Sequence, residues 1–132
     1  MLDVDYVITI HDEIVLEFVG LPGFAHNGRG GVEAALARIE NHALYAGVDD
    51  VFAIAALYAV AIAKGHVFND GNKRTGLTCA LTYLLQQEIF IPETPQFEDI
   101  MVDVADGRID HEELASIFSS LWDAGGRQTG LL

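Results

Sequence analysis

Residues 51–63 read VFAIAALYAVAIA, and the Tyr58 hydroxyl is the only polar side-chain group in the run. A helix of this composition is apolar on every side, which suits the centre of a protein core. Thirteen residues are too few to span a bilayer, which takes about 20. The reading is therefore a buried central helix. Asp49 or Asp50 can cap its start, and Lys64 and Gly65 suit its end.

The flanking segments carry helical signals of their own. Val4, Val7, Ile8, His11, Ile14, Val15 and Phe18 recur at helical spacing and predict an amphipathic helix over 3–19. YVITI, at 6–10, is rich in β-branched residues, so a strand is the competing reading there. GLPGFAHNGRGG, at 20–31, is dense in Gly and Pro and reads as a loop. Val32, Ala35, Leu36, Ile39, Ala43 and Leu44 mark a second helix ending near Gly47. Downstream of the apolar run, Leu77, Ala80, Leu81, Leu84 and Leu85 predict a helix over 72–87. EIFIPETPQ, at 88–96, is a turn or short strand interrupted by Pro92 and Pro95. Phe97–Ala105 is a short helix stopped at Asp106-Gly107. Asp110 then caps a last helix, with Glu113 completing a capping box and Leu114, Ile117, Phe118, Leu121 and Trp122 as its buried stripe. The expectation is an all-α, single-domain bundle of about six helices over 1–124, with a flexible tail at 125–132.

Composition narrows the function. At 132 residues and 51% hydrophobic, the chain can build one sizeable core. Its net charge of −13 argues against direct binding of nucleic acid, where affinity comes from clustered Lys and Arg. The single Cys79 excludes an internal disulfide and a cysteine-based zinc site, which fits a reducing, cytoplasmic setting. No secretory leader pattern opens the chain, and neither secretion nor a membrane partner is expected. Against this acidic background Lys64, Lys73 and Arg74 lie within one short stretch whose single acid is Asp70.

That island coincides with the sequence HVFNDGNKR, residues 66–74. Lys73 and Arg74 open a helix, the end where cations are disfavoured by the helix dipole and by four unpaired N–H groups. The conflict resolves if an anion sits there. Backbone N–H groups around Gly71 to Arg74 can point at a phosphate, and Gly71 lets the backbone approach it. Lys73 adds charge, and Arg74 can grip two phosphate oxygens at once. His66 can take a proton from an attacking hydroxyl near neutral pH. Asp70 can hold Mg²⁺ on the phosphates or orient a neighbour, and Asn72 can donate to a phosphate oxygen or cap the helix. Phe68 is read as the buried anchor of the loop. Each residue alone has an ordinary structural role: a helix-end His, an N-cap Asp or Asn, a solvated Lys or Arg. Their concentration in nine residues favours the phosphate site.

The same nine residues closely resemble the signature of the Fic/Doc family, H-x-F-x-(D/N/E)-(A/G)-N-(K/G)-R, in particular its Doc (death-on-curing) toxin branch. The resemblance extends more weakly from IHD (10–12) through GLPG (20–23) and EAALAR (33–38) to about Trp122. It implies a small helical domain with the motif joining two central helices. Fic-type members move AMP from ATP to a protein hydroxyl, and their motif continues G-N-G-R-x-x-R. Here Lys73 replaces the third small residue and Leu77 the second arginine, as in the Doc pattern, whose members transfer the terminal phosphate. The resemblance thus implies an ATP- and Mg²⁺-dependent transfer to a protein hydroxyl, with elongation factor Tu as the family's known target and translation inhibited. His66 is then the base, Asp70 the metal or orienting residue, and Asn72, Lys73 and Arg74 the phosphate grip. AMP transfer is the alternative, and a silent partner-binding module is another.

Doc-like toxins are held inactive by an antitoxin whose disordered segment folds into a groove of the toxin. Some Fic proteins instead carry an inhibitory helix marked (S/T)-x-x-x-E-(G/N). TPQFED, at 94–99, fails that pattern at its last position and contains Pro95, so inhibition in trans is expected. His11-Asp12 lacks the earlier histidine that an HD-type metal site needs. His11 lies on an apolar face and reads as a core or groove-lining residue; the resemblance places this region near the active site, so a supporting role there is the alternative. His26 and His42 have no ligand spacing, and DHEE (110–113) is explained by capping. Arg29 and Arg38 are read as salt-bridge residues.

Overall fold

The computed structural model describes residues 1–25, 27–45 and 50–126. It is helical throughout: α1 (Val4–Phe18), α2 (Gly28–Tyr45), α3 (Val51–Gly65), α4 (Asn72–Gln86), α5 (Gln96–Ala105) and α6 (His111–Leu121), followed by a π-helical turn, Trp122–Gly126. Among the described residues there is no strand, only an isolated antiparallel bridge between Phe24 and Phe68.

α3 is the central helix that its composition predicts. It packs against α2, α4, α5 and α6, and Ile54, Ala55, Ala56, Tyr58, Ala59, Ile62 and Ala63 are buried. The Asp50 carboxylate caps it by accepting the Phe52 N–H at 2.9 Å, while Asp49 and Gly47 lie outside the described residues. The one polar side-chain group of the 51–63 run is satisfied. The Tyr58 hydroxyl accepts the Leu2 N–H at 2.8 Å and faces the Met1 sulfur at 3.3 Å. Burial pushes this phenol up to about 12. The alanines of α3 let α4 come unusually close. A Cβ at Gly76 would stand 2.8 Å from the Ala59 carbonyl oxygen and 3.3 Å from the Ala63 nitrogen. Only glycine fits there without moving one backbone.

The YVITI segment is helical, so the β-branched residues yield to the 3.6-residue period, which buries Val7, Ile10, His11 and Val15. Asp3 caps α1 by accepting the Tyr6 N–H at 2.8 Å. α2 begins at Gly28, not at Val32, so the predicted loop is shorter than 20–31. Arg29 holds that added turn, pairing with Asp5 at 2.9 Å and Glu33 at 3.4 Å. Arg38, by contrast, makes no ion pair among the described residues. The 88–96 segment forms no strand, and its Ile89 and Ile91 are buried against the core. α6 carries the expected capping box: Glu113 N–H donates to Asp110 at 2.8 Å, and the Asp110 N–H faces Glu113 at 3.5 Å. Its Leu114 and Phe118 are fully buried, whereas Ile117, Leu121 and Trp122 are only partly so. Of the predicted tail, Gly125 and Gly126 belong to the π-helical turn, and 127–132 lie outside the described residues. No helix among the described residues is long and apolar enough to cross a membrane.

Candidate active site

The motif occupies the turn from α3 to α4. α3 ends at Gly65, and His66 serves as its C-cap in the left-handed region, φ 48° and ψ 51°. An L-residue there is uncommon and turns the chain sharply. The turn sends Val67 and Phe68 inward, leaving His66 exposed. Phe68 is buried, as its role of loop anchor requires. Asn72 behaves differently from its predicted roles. Its side chain accepts the Phe68 N–H at 3.0 Å and donates to the Phe68 carbonyl at 2.9 Å. It neither caps α4 nor faces outward; it is buried and clasps the loop to the helix.

The N-terminus of α4 is left open. Its N-cap is Gly71, at φ 74°, and no side chain caps the helix. The first bond across the turn runs from the Thr75 N–H to the Gly71 carbonyl at 2.9 Å. An α-helix extended one residue upstream would bond the Arg74 N–H to the Asp70 carbonyl. His11 has taken that carbonyl instead, through Nε2 at 2.8 Å. With the helix ended at Gly71, the N–H groups of Asn72, Lys73 and Arg74 donate to no described group, the arrangement that makes a helix end an anion site.

Two elements far away in sequence hold the loop in this shape. The buried His11 of α1 also stacks on Phe68, with ring centroids 3.7 Å apart and planes 7° from parallel. Because Nε2 faces a carbonyl, it must carry the proton. Nδ1 lies 3.4 Å from the exposed Asp12 carboxylate. The second element is GLPG, at 20–23. Asn69 N–H donates to the Gly23 carbonyl at 3.0 Å, Ala25 N–H to the Val67 carbonyl at 3.1 Å, and the Asn69 amide to the Pro22 carbonyl at 3.0 Å. A Cβ at Gly20 would stand 3.1 Å from the Asp70 carboxylate, and one at Gly23, already at φ 94°, 3.2 Å from the Asn69 amide. Gly20 leaves room for the Asp70 carboxylate, and Gly23 for the Asn69 amide at a backbone angle that itself favours glycine.

Asp70 is exposed, and its carboxylate is aimed by two backbone donors, the Leu21 N–H at 3.1 Å and the Gly71 N–H at 2.8 Å. These bonds, helped by Lys73 and His11 and opposed by partial desolvation, hold its pKa below the ordinary value. Each carboxylate oxygen keeps a further lone-pair direction free. Among the described residues no group of three or more His, Cys, Asp or Glu converges on one point. An exposed carboxylate oriented in this way suits a Mg²⁺ of the kind held by one carboxylate, waters and a nucleotide's phosphates.

The open helix end faces a cleft of about 610 Å³. Asp70, Gly71, Asn72, Lys73 and Arg74 line one side, with Leu77 behind them; Glu93, Thr94, Pro95, Phe97, Glu98, Met101 and Val102 line the other. The structure thus gathers five of the predicted site residues. His66 is not among the lining residues and stands exposed at the upstream end of the turn. Neither Lys73 nor Arg74 forms an ion pair among the described residues. Thr75, one position on, is fully buried and its hydroxyl has no hydrogen-bond partner.

This geometry agrees with what the chain is similar to. A family model described as the Fic/DOC family matches residues 1–84, which include α1, the GLPG segment and the whole motif. The chain belongs to the Fic/Doc family. It is also 35% identical over 116 residues to the protein named protein kinase doc of Escherichia phage P1, covering 88% of this chain and 90% of that protein. The Fic/Doc motif here is one turn of a larger assembly. The sequence pointed to His11 as a core or groove-lining residue with at most a supporting role near the site, and it gave the α5 wall of the cleft no role. GLPG did carry a signal, in two glycines that leave room for side chains of the neighbouring turn.

Proposed function

We propose that this protein is a Doc-like toxin that transfers the terminal phosphate of ATP to a hydroxyl of a protein. The observation that carries the reading is the uncapped N-terminus of α4. It opens, with Lys73 and Arg74 unpaired by any described carboxylate, on a cleft large enough for a nucleotide. The protein kinase doc relative supports the choice of a phosphoryl group, as does Leu77 in place of the second arginine of AMP-transferring members.

In this reading the β- and γ-phosphates sit against the N–H groups of Asn72, Lys73 and Arg74, with the two side chains neutralising their charge. Asp70 would hold Mg²⁺ beside the phosphates, and the ion would supply further charge neutralisation for the negative charge that builds on the oxygens. His66 takes the proton of the acceptor hydroxyl as its oxygen bonds to the γ-phosphorus. The bond from that phosphorus to the bridging oxygen breaks, and ADP leaves. His66 stands at the edge of the motif turn, which suits an acceptor arriving from solvent on a second protein. The resemblance names elongation factor Tu as the first acceptor to test, with inhibition of translation as the consequence and the cytoplasm as the setting. The partner that restrains the activity is an antitoxin supplied in trans.

The experiment is incubation of the protein and elongation factor Tu with ATP labelled separately at the α- and γ-phosphates. Label arriving from γ supports the reading; label from α replaces it with AMP transfer. No label, with this acceptor and in a whole-cell extract, refutes the enzyme. His66→Ala is expected to abolish transfer while leaving the thermal unfolding midpoint unchanged. A fully active variant removes the base assignment.

A further inference from the structure

Phe18 is the last residue of α1 and is 52% exposed. A phenylalanine that far in solvent contributes little to the core. Its ring does make one well-defined contact: the guanidinium carbon of Arg74, across on α4, lies 3.7 Å from the ring centroid. Arg74 has made this contact in a chain with 20 acidic residues and only seven basic ones. Glu98 lines the same cleft, yet Arg74 forms no ion pair among the described residues.

The choice of partner has a chemical consequence. Guanidinium is planar, with its five N–H donors pointing out along the edges of the plane and none from its faces. A carboxylate partner would consume two edge donors, the ones a phosphate needs. An aromatic ring attracts the cation through its face and leaves every donor free. Aromatic stacking can thus orient Arg74 without competing for the ligand. It also reduces the rotamer freedom that a long side chain loses on binding.

We propose that Phe18 is a positioning residue for nucleotide phosphate: it holds the Arg74 guanidinium by its face so that the edge is presented to the anion at the N-terminus of α4. The proposal rests on the reading of the cleft as an ATP site. α1 then serves that site twice, with His11 shaping the loop from below and Phe18 aiming the arginine.

The test is titration calorimetry with ATP and Mg²⁺ on the full chain, with NMR of the Arg74 side chain. In the free wild type the ring should shift the Arg74 δ-proton resonances upfield, and Phe18→Leu should return them to ordinary positions. Phe18→Leu should bind ATP about two- to fivefold more weakly, because Arg74 must then lose its rotamer freedom on binding. Phe18→Tyr and Phe18→Trp should bind as the wild type or more tightly. In an Arg74→Ala background, Phe18→Leu should cost nothing further. The exposed position makes an unfolding midpoint within a few degrees of the wild type the expectation for all three Phe18 variants. Wild-type ATP binding with no sensitivity to Phe18→Leu, or the same loss in the Arg74→Ala background, overturns the positioning role alone. Failure of the wild type to bind ATP overturns the nucleotide reading and this role with it, even where the ring shift persists.

Discussion

His11 offers the sharpest test of how the active-site turn is held. Its ring does two separable things: it stacks on Phe68 at 3.7 Å and donates Nε2–H to the Asp70 carbonyl at 2.8 Å. His11→Phe keeps an aromatic ring of similar shape and deletes the donor. The Asp70 carbonyl, partly buried, then loses its partner at a cost of about 1–2 kcal/mol, or roughly 3–10 °C in the unfolding midpoint for a chain of this size. The lost contact to Asp12 adds little, because that carboxylate is exposed. His11→Ala removes the ring as well and opens a cavity beneath Phe68, for a total of about 3–4 kcal/mol. Urea titration measures these differences. Calorimetry with ATP then asks whether the phosphate end is disturbed, since the Asp70 carbonyl that His11 holds immediately precedes the open end of α4. The expected result is weaker ATP binding in His11→Phe than in a distant core variant of equal stability. A His11→Phe protein that matches the wild type in both stability and ATP affinity refutes the argument that this hydrogen bond holds the turn.

Three further outcomes follow from the packing around the turn. Gly76→Ala should destabilise by about 1–3 kcal/mol despite the better helix propensity of alanine, because its Cβ would press on the Ala59 carbonyl at 2.8 Å; urea denaturation checks this, and a more stable variant would contradict it. Thr75→Val should be neutral to about 1 kcal/mol stabilising by the same assay, since the buried hydroxyl it removes has no partner. Asp70 has a folded pKa below its ordinary 3.8, so its contribution to stability is complete above that value and is lost as the pH falls through the lowered one. Denaturation measured from pH 5 downward should therefore fall less steeply in Asp70→Asn than in the wild type over that acid limb, and identical slopes would count against the two backbone bonds to its carboxylate.

Much of this architecture was legible in one dimension because the signals are local. The all-apolar run at 51–63 could only be central, and Asp50, Asp110 and Glu113 cap where their side chains reach the next turn. The helical period at 3–19 prevailed over the β-branched content of YVITI, since burial of one face outweighs a weak intrinsic preference. The reading failed where long-range contacts override local chemistry. GRGG is poor helix-forming sequence, yet it opens α2, where Arg29 pairs with Asp5 of α1. Asn72 looked like a cap and is a clasp, because its amide matches both backbone groups of the inward-turned Phe68.

The sequence by itself therefore determined the helices and the chemical inventory of residues 66–74, since period, caps and composition act within a few residues. The tertiary structure alone decided what surrounds that inventory. His11 meets Asp70 across 59 positions and Gly20 clears room for the Asp70 carboxylate, while Phe18 takes the face of Arg74 and α5 supplies the opposite wall of the cleft. No spacing rule links these residues. They meet because α1 and α5 both pack against α4.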